Sequence, residues 1–328
     1  MATYYGGTGA AAAERQDLGM LVSTERDKYL GPESRYVAHR MSARLEIPGP
    51  GAFMVPKFDN YKAVDGGNYT FRRFIGDAAP FADPSRFDTL NAIPADFGQK
   101  SLWDELDPIV RRMLVNPLQG LAAVEALHLD ISMARLMEGS DRYLLNYLGS
   151  NNGLKNDDAT SSDTAAGLVW SNSAADVATD VKNAVVNADL DFDSILLDWT
   201  GWQHFKSLES LTDRFGGNVG FGTVSEPQAR QAMSSFSKIR PENVFVCDAG
   251  MGLSNQAILF QRGGVGPVNP IATPSAIVCA HESTPDANDL GIAVRTSDVD
   301  ERRHSVYAFC PCDFVARRRA YVRITGIY

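Results

Sequence analysis

Apolar residues recur at helical spacing over one unusually long stretch of the chain. Between Asn116 and Gly149, leucine, alanine and methionine positions line one side of a helix, while most charged residues lie off that side. Asn116 is a good N-cap, Pro117 suits the first helical position, and Gly149 supplies a left-handed stop. The pattern predicts one helix of about 31 residues, roughly 45–50 Å long. The Gly-Ser-Asp sequence at 139–141 is a weak point where this helix could break.

Residues 1–50 have the pattern of an extended arm with one helix in it. The arm begins with glycine and alanine runs that carry little apolar surface, so we expect contact with another chain to hold it, with packing on its own body as the alternative. A helix is predicted over 11–29 and ends before Gly31-Pro32.

A long hairpin is predicted after the arm. Two strand-like runs, 52–64 and 69–75, flank Asp-Gly-Gly-Asn at 65–68, which is a strong turn signal. A two-stranded ribbon is marginally stable alone, so it must lie on its own body or on a neighbouring subunit. Residues 76–99 contain three prolines and predict irregular structure.

The rest of the chain alternates short apolar strands with helices, which gives an α+β fold class. A short helix at 109–115 precedes the long one, and a polar loop at 150–165 follows it. The later predicted helices are 174–187, capped by Ser173, and 202–211, capped by Thr200. The predicted strands are 168–170, 194–198, 244–248, 257–260, 275–280, 292–295, 304–311 and 320–327.

Composition narrows the function classes. Apolar residues make up 44% of the chain and charged residues 22%, values typical of a globular protein. The net charge of −9 argues against a nucleic-acid reader that depends on neutralising phosphates. No apolar run approaches the length of a membrane span and the start lacks a signal-peptide pattern, so we expect a protein made in the cytoplasm without membrane contact.

No catalytic or cofactor-binding residue is predicted. Gly252-Leu-Ser-Asn lacks the second glycine of a nucleophile elbow, and Gly220-Phe-Gly lacks the lysine of a phosphate-binding loop. Two pairs of side chains at i and i+2 on strands could together hold zinc. Their spacing differs from that of structural zinc sites, and cysteines in apolar strands are usually core residues, so we predict no metal. These residues are Cys279, His281, Cys310 and Cys312.

This order of elements resembles the tailed-bacteriophage major capsid fold of the Hong Kong 97 type. The resemblance covers nearly the whole chain and rests on element order. It implies an N-terminal arm at 1–50, an extended hairpin loop at 51–90, a peripheral domain with a long spine helix at 91–165 and 300–328, and a mixed α/β axial domain at 166–299. The stretches that carry it are 168–170 and 194–198, each leading into a helix, then 257–260, 275–278 and the closing strand at 321–325.

The resemblance implies a structural subunit, not an enzyme, that self-assembles as hexamers and pentamers into an icosahedral capsid around double-stranded DNA. Implied partners are other copies of the chain, a portal, a possible decoration protein and packaged DNA, contacted without sequence specificity. The chain begins at Met1 without a long helical prefix, so we expect a separate scaffolding protein rather than a cleaved segment. The expected location is the virion, after assembly in the host cytoplasm.

Inter-subunit contacts are predicted on the arm and the hairpin, at Tyr4, Tyr5, Lys57, Lys62, Arg72, Arg73 and Phe74. Some members of the resembled family join subunits covalently, through a lysine on the extended loop and an asparagine near the end of the chain. Because no asparagine follows Asn288, we predict no such crosslink.

Two alternatives remain open. An encapsulin-type nanocompartment shell has the same fold, but it would need a groove for cargo peptides and would more often lack a long arm. A soluble α/β enzyme would use aspartate and histidine in one deep pocket and would form a small oligomer, so sedimentation would distinguish it.

Overall fold

The computed structural model describes 15 segments of the chain. Their helices and strands follow one another in mixed order, which confirms the α+β fold class. The described residues are 13–14, 18, 20–22, 26–31, 34–47, 53–56, 89–116, 120–149, 163–188, 191–215, 223–263, 275–282, 291–300, 302–316 and 321–328.

Within these segments, the helices are α1 (Arg26–Leu30), α2 (Ala38–Met41), α3 (Pro108–Val115), α4 (Gly120–Gly149), α5 (Val177–Ala188), α6 (Trp199–Lys206), α7 (Glu209–Phe215) and α8 (Glu226–Ser234). A short 3-10 helix covers Pro241–Asn243. The first strands are β1 (Ala13–Glu14), β2 (Ala43–Ile47), β3 (Phe53–Pro56), β4 (Thr89–Ala92), β5 (Ala95–Asp96), β6 (Ser101–Asp104) and β7 (Thr164–Ala165). The later strands are β8 (Ser194–Asp198), β9 (Val244–Cys247), β10 (Gln256–Phe260), β11 (Ile277–Glu282), β12 (Ala293–Asp298), β13 (Arg303–Phe309), β14 (Pro311–Ala316) and β15 (Tyr321–Thr325).

The predicted long helix is α4, which runs for 30 residues, about 45 Å. Its apolar side is the centre of the largest buried cluster. The break expected at 139–141 is wrong, because Ser140 and Asp141 are buried and hydrogen-bonded to residues 37–39. Gly139 lets another segment approach the helix closely, since an added Cβ would lie 3.2 Å from the carbonyl oxygen of Phe97.

A five-stranded sheet in the order β7-β15-β10-β8-β9 separates two cores. In β10, Ala257 and Leu259 face a cluster that also contains residues of helices α5 to α8, while Ile258 and Phe260 face the α4 cluster. A strand buried on both faces reads as a continuous apolar run, which is why the sequence predicts β8 and β10 well.

Three further sheets complete the described fold. One has the order β1-β12-β13-β6, and its β13 packs on α4. Another has the order β2-β11-β14-β5, with β2 parallel to β11. The third joins β3 to β4 in an antiparallel pair, in which Phe53 lies opposite Ala92 and Pro56 opposite Thr89.

The structure corrects the predicted elements of the arm and the loop. Residues 13–14 form β1, paired with β12, so the helix expected over 11–29 does not begin at residue 11. Within that range, residues 18 and 20–22 are helical and α1 covers Arg26–Leu30. Irregular structure was expected over 76–99, but β4 and β5 lie there. The partners of β1, β4 and β5 are distant in sequence, and their pairing outweighs the local signals. The predicted turn at 65–68 lies outside the described residues.

Three other predictions in the later half are wrong in detail, and one strand was missed. Residues 168–170 are not a strand, although the main-chain N–H of Trp170 donates to the carbonyl of Ile327. Helix α5 begins after Asp176, whose carboxylate accepts from the N–H of Thr179, rather than after Ser173. Asp198, not Thr200, caps the next helix, which ends at Lys206 before α7 begins. Strand β14 was not predicted.

Residues 36–47, within the predicted arm, contribute buried side chains to the α4 cluster. They also contribute β2 to the β2-β11-β14-β5 sheet. Strand β15 places Tyr321 in the α4 cluster and Val322 and Ile324 in the other core. The division into arm, loop, peripheral and axial segments stays a prediction.

Candidate assembly surfaces

The residues predicted to contact other subunits all lie outside the described residues. Their role in assembly therefore stays a prediction. They are Tyr4, Tyr5, Lys57, Lys62, Arg72, Arg73 and Phe74. The antiparallel pairing of β3 with β4 places residues 56 and 89 opposite each other.

The 102–115 segment exposes apolar side chains where two elements meet. Strand β6 lies at one end of its sheet, and its alternation turns Ser101 and Trp103 inward but leaves Leu102 58% exposed. Helix α3 follows, capped by Asp107, whose carboxylate accepts from the N–H of Ile109 at 2.7 Å.

Helix α3 has more apolar residues than its buried side can cover. Val110 is buried, but Ile109 and Val115 are 68% and 77% exposed, and Leu106 just before the helix is 59% exposed. An end strand followed by such a helix is a typical surface for protein contact. The sequence analysis missed this segment, although apolar residues on both sides of a short helix signal it.

Helix α4 is fixed to this surface by polar contacts. The Ser132 hydroxyl donates to the carbonyl of Gln99 at 2.9 Å and accepts from the main-chain N–H of Ala308 at 2.8 Å. The Arg135 guanidinium donates to the carbonyl of Lys100 at 3.0 Å. These bonds hold β13 and the residues just before β6 against the long helix.

The rings of two histidines lie against Trp103. The His128 ring lies 5.2 Å from Trp103, and burial lowers the pKa of His128, whose Nδ1 is 2.8 Å from the Ser101 hydroxyl. The His304 ring also lies 5.2 Å from Trp103. Burial lowers the pKa of His304, but hydrogen bonds to Asp298 and Glu105 outweigh it and raise that pKa. The raised pKa favours the charged form of His304, which bonds from β13 to Asp298 at the end of β12 and to Glu105 just after β6.

The three cysteines that the sequence analysis considered as zinc ligands, and then interpreted as core residues, lie together in the structure. Cys279, Cys310 and Cys312 are buried and come together through hydrogen bonds, and their histidine neighbour is His39, whose Nδ1 is 4.0 Å from Cys279 Sγ. His281 instead lies against Gly291. The hydrogen bond with Cys279, together with burial, raises the pKa of the Cys312 thiol well above its usual value.

Among the described residues, no group of three or more His, Cys, Asp and Glu side chains is placed to hold a metal ion. None of the described helices is both long enough and apolar enough to cross a membrane.

Comparison with known structures defines the fold. A phage-related protein from Bordetella bronchiseptica RB50 is similar over 97% of this chain and 98% of its own, with a TM-score of 0.58 and 11% identity. The capsid of an empty GTA particle is similar over 90% and 91% of the two chains, with a TM-score of 0.53 and 8% identity. The encapsulin of Synechococcus elongatus PCC 7942 covers 88% and 86%, with a TM-score of 0.47 and 13% identity.

No protein-family model matches the chain, and no curated protein matches it by sequence. At these identities the likeness shows the fold alone. The chain has the fold of the tailed-phage major capsid proteins, the Hong Kong 97 type, as the order of elements in the sequence predicts.

Proposed function

We propose that this chain is the structural subunit of an icosahedral phage capsid. The observation that carries the proposal is the likeness to the capsid of a GTA particle over nine tenths of both chains. The exposed apolar side chains of the 102–115 segment support it, because such surface is normally covered by a partner.

The architecture suits a subunit that covers a curved shell in many copies. Many copies must cover a curved surface, so each copy needs a stiff body, and contacts that are weak singly become strong by repetition. Helix α4 and its bonds to β13 and the residues just before β6 provide the stiffness. The arm and the 57–88 segment would reach neighbouring copies through the predicted contact residues.

The proposed partners are copies of the chain arranged as hexamers and pentamers, a separate scaffolding protein, a portal and possible decoration proteins. Assembly would take place in the host cytoplasm, and the mature location would be the virion. A subunit with a net charge of −9 repels DNA at long range, so contact with the packaged genome is non-specific. We assign the chain no catalytic activity.

Expression of the chain with and without candidate scaffolding proteins tests this function. Sedimentation velocity is expected to show closed particles of very large mass, with DNA inside those recovered from infected cells. Shells that instead contain a packaged enzyme would favour the encapsulin alternative. A lone compact monomer or a small oligomer under every condition would refute the shell function.

A matched pair of variants tests the 102–115 segment. Val115 and Val186 are both exposed valines in the last turn of a helix, at 77% and 67%. We expect Val115→Lys to block assembly, because burying a charge in an interface is costly, while Val186→Lys assembles normally. Both subunits should unfold within about 0.5 kcal/mol of the wild type. Equal assembly of the two variants would remove this segment from the interface.

A further inference from the structure

A histidine on β13 bonds to two carboxylates from different parts of the chain. His304 Nδ1 lies 2.6 Å from Asp298 Oδ1, at the end of β12, and His304 Nε2 lies 3.1 Å from Glu105 Oε1, just after β6. An ionised carboxylate only accepts hydrogen bonds, and a neutral imidazole has a single N–H to donate. Both contacts are therefore satisfied together only when His304 is protonated. We refer to these three side chains as the histidine bridge.

The histidine bridge borders the exposed apolar side chains of the 102–115 segment. Leu106 directly follows Glu105, and Val299 directly follows Asp298; these two apolar side chains are 59% and 51% exposed. The N–H of Glu105 also donates to the carbonyl of Arg302 at 3.1 Å, which holds the turn before α3 against the turn between β12 and β13. A partner that covers Leu106 and Val299 therefore also approaches the bridge.

Loss of the proton changes both the charge and the hydrogen bonding of this surface. The protonated bridge has one positive charge against the two carboxylates, whereas the neutral ring leaves both negative charges uncompensated. The neutral ring also turns one unprotonated nitrogen toward a carboxylate oxygen, and two acceptors repel each other. Because covering an uncompensated charge with a partner is costly, the deprotonated bridge disfavours contact at this surface.

His304 is also placed to change its charge near neutral pH. Its side chain is 22% exposed, so solvent protons reach it. Burial lowers the pKa of His304, but the hydrogen bonds to Asp298 and Glu105 outweigh burial and raise that pKa above its ordinary value. Histidine is the side chain whose charge such modest shifts change in this range.

The other charged and titratable side chains described around His304 come from each element that packs against β13. They are Asp104 on β6, Asp300 and Arg302 in the turn before β13, Arg303 on β13 and His128 on α4. Arg303 pairs with Asp300 at 2.7 Å, and burial lowers the pKa of His128, which lies against Trp103. Among the described residues, the cation that bonds to both Glu105 and Asp298 is therefore His304.

We propose that His304 makes the contact between copies at the 102–115 segment proton-dependent. This inference rests on the proposed shell function, and the partner is a second copy of the chain. Copies join most tightly while the ring is charged, and the contact weakens when the ring loses its proton. Assembly is therefore favoured below about pH 6.5 and becomes weaker as the pH rises through the raised pKa of His304.

The test measures the subunit concentration needed for assembly between about pH 6 and pH 9, under conditions in which the wild type forms shells. For the wild type we expect this concentration to rise about fivefold with pH, the effect of losing one charge pair. His304→Gln should need the high-pH concentration throughout. Glu105→Gln leaves one carboxylate on the ring, so its rise should occur at a lower pH. The control His204→Gln replaces a half-buried histidine on α6 and should follow the wild type.

Each outcome separates the alternatives. A pH profile of H304Q that matches the wild type, or an equal change in H204Q, would refute the inference and leave the shell function intact. A wild-type chain that forms no shell at any pH would refute the shell function, and the inference with it. If H304Q fails to fold, E105Q decides, because a profile moved to lower pH supports the inference and an unmoved profile overturns it.

Discussion

Asp141 allows a sharp test of how the long helix holds the segment before β2. Its Oδ1 accepts from the main-chain N–H of Ala38 at 2.7 Å, and both carboxylate oxygens accept from the N–H of Val37 at 3.1 Å. Burial raises the pKa of Asp141 to about 6 from its ordinary 3.8, although the two N–H donors oppose this. The carboxylate is therefore both an anchor and a buried charge.

The sign of the pH effect follows from these values. Because the folded pKa lies above the unfolded one, the unfolded chain releases its proton first as the pH rises, and the folded state loses stability over that window. The difference corresponds to about 3 kcal/mol in the free energy of unfolding between about pH 4 and pH 7. Asp141→Asn keeps an oxygen acceptor and cannot ionise, so it should remove this pH dependence.

The matched variant Asp141→Ala leaves both N–H groups without their acceptor. At about 1–3 kcal/mol for each buried donor, we expect it to be less stable than Asp141→Asn by about 2–4 kcal/mol at every pH. Urea unfolding of the unassembled chain at low concentration measures all three proteins. If Asp141→Asn follows the wild type across the pH window, or if the alanine and asparagine variants are equally stable, the reasoning is wrong.

Three further predictions can be checked with the same material. Two carboxylates stabilise charged His304, so its contribution to folding stability is present below about pH 6.5 and is lost as the pH rises through the raised pKa. His304→Gln should abolish this pH-dependent increase in the melting temperature. Arg323 is 5% exposed and pairs with Asp163, so Arg323→Met should cost about 3 kcal/mol; an unchanged urea midpoint would contradict this. Particles should dissociate to single chains in denaturing gels, and a ladder of covalent oligomers would instead implicate Lys57 or Lys62.

The sequence predicted the elements whose signals are local. Helix α4 carries its own apolar side over 30 residues, and β8 and β10 are apolar throughout because both of their faces are buried. The short helix predicted at 109–115 lies within α3, which Asp107 caps. In each case the residues that determine the helix or strand lie next to one another in the sequence.

The elements that were missed depend on distant partners. Strand β1 pairs with residues 295–296, and a run of alanines alone favours a helix. His39 lies 4.0 Å from Cys279 across 240 positions, a contact that the local cysteine pattern does not contain. A recess lined by Arg40, Arg44 and Arg262 likewise combines residues that are distant in the sequence. Such sites arise from topology and have no local motif.

One measurement tests most directly the claim that this polypeptide is a subunit of a closed shell. Electron cryo-microscopy of the purified, assembled protein is expected to show closed icosahedral particles built from hexamers and pentamers, with α4 along each subunit and the 102–115 segment covered by a neighbour. A field of single compact subunits, monodisperse at high concentration with that segment facing solvent, would contradict the claim.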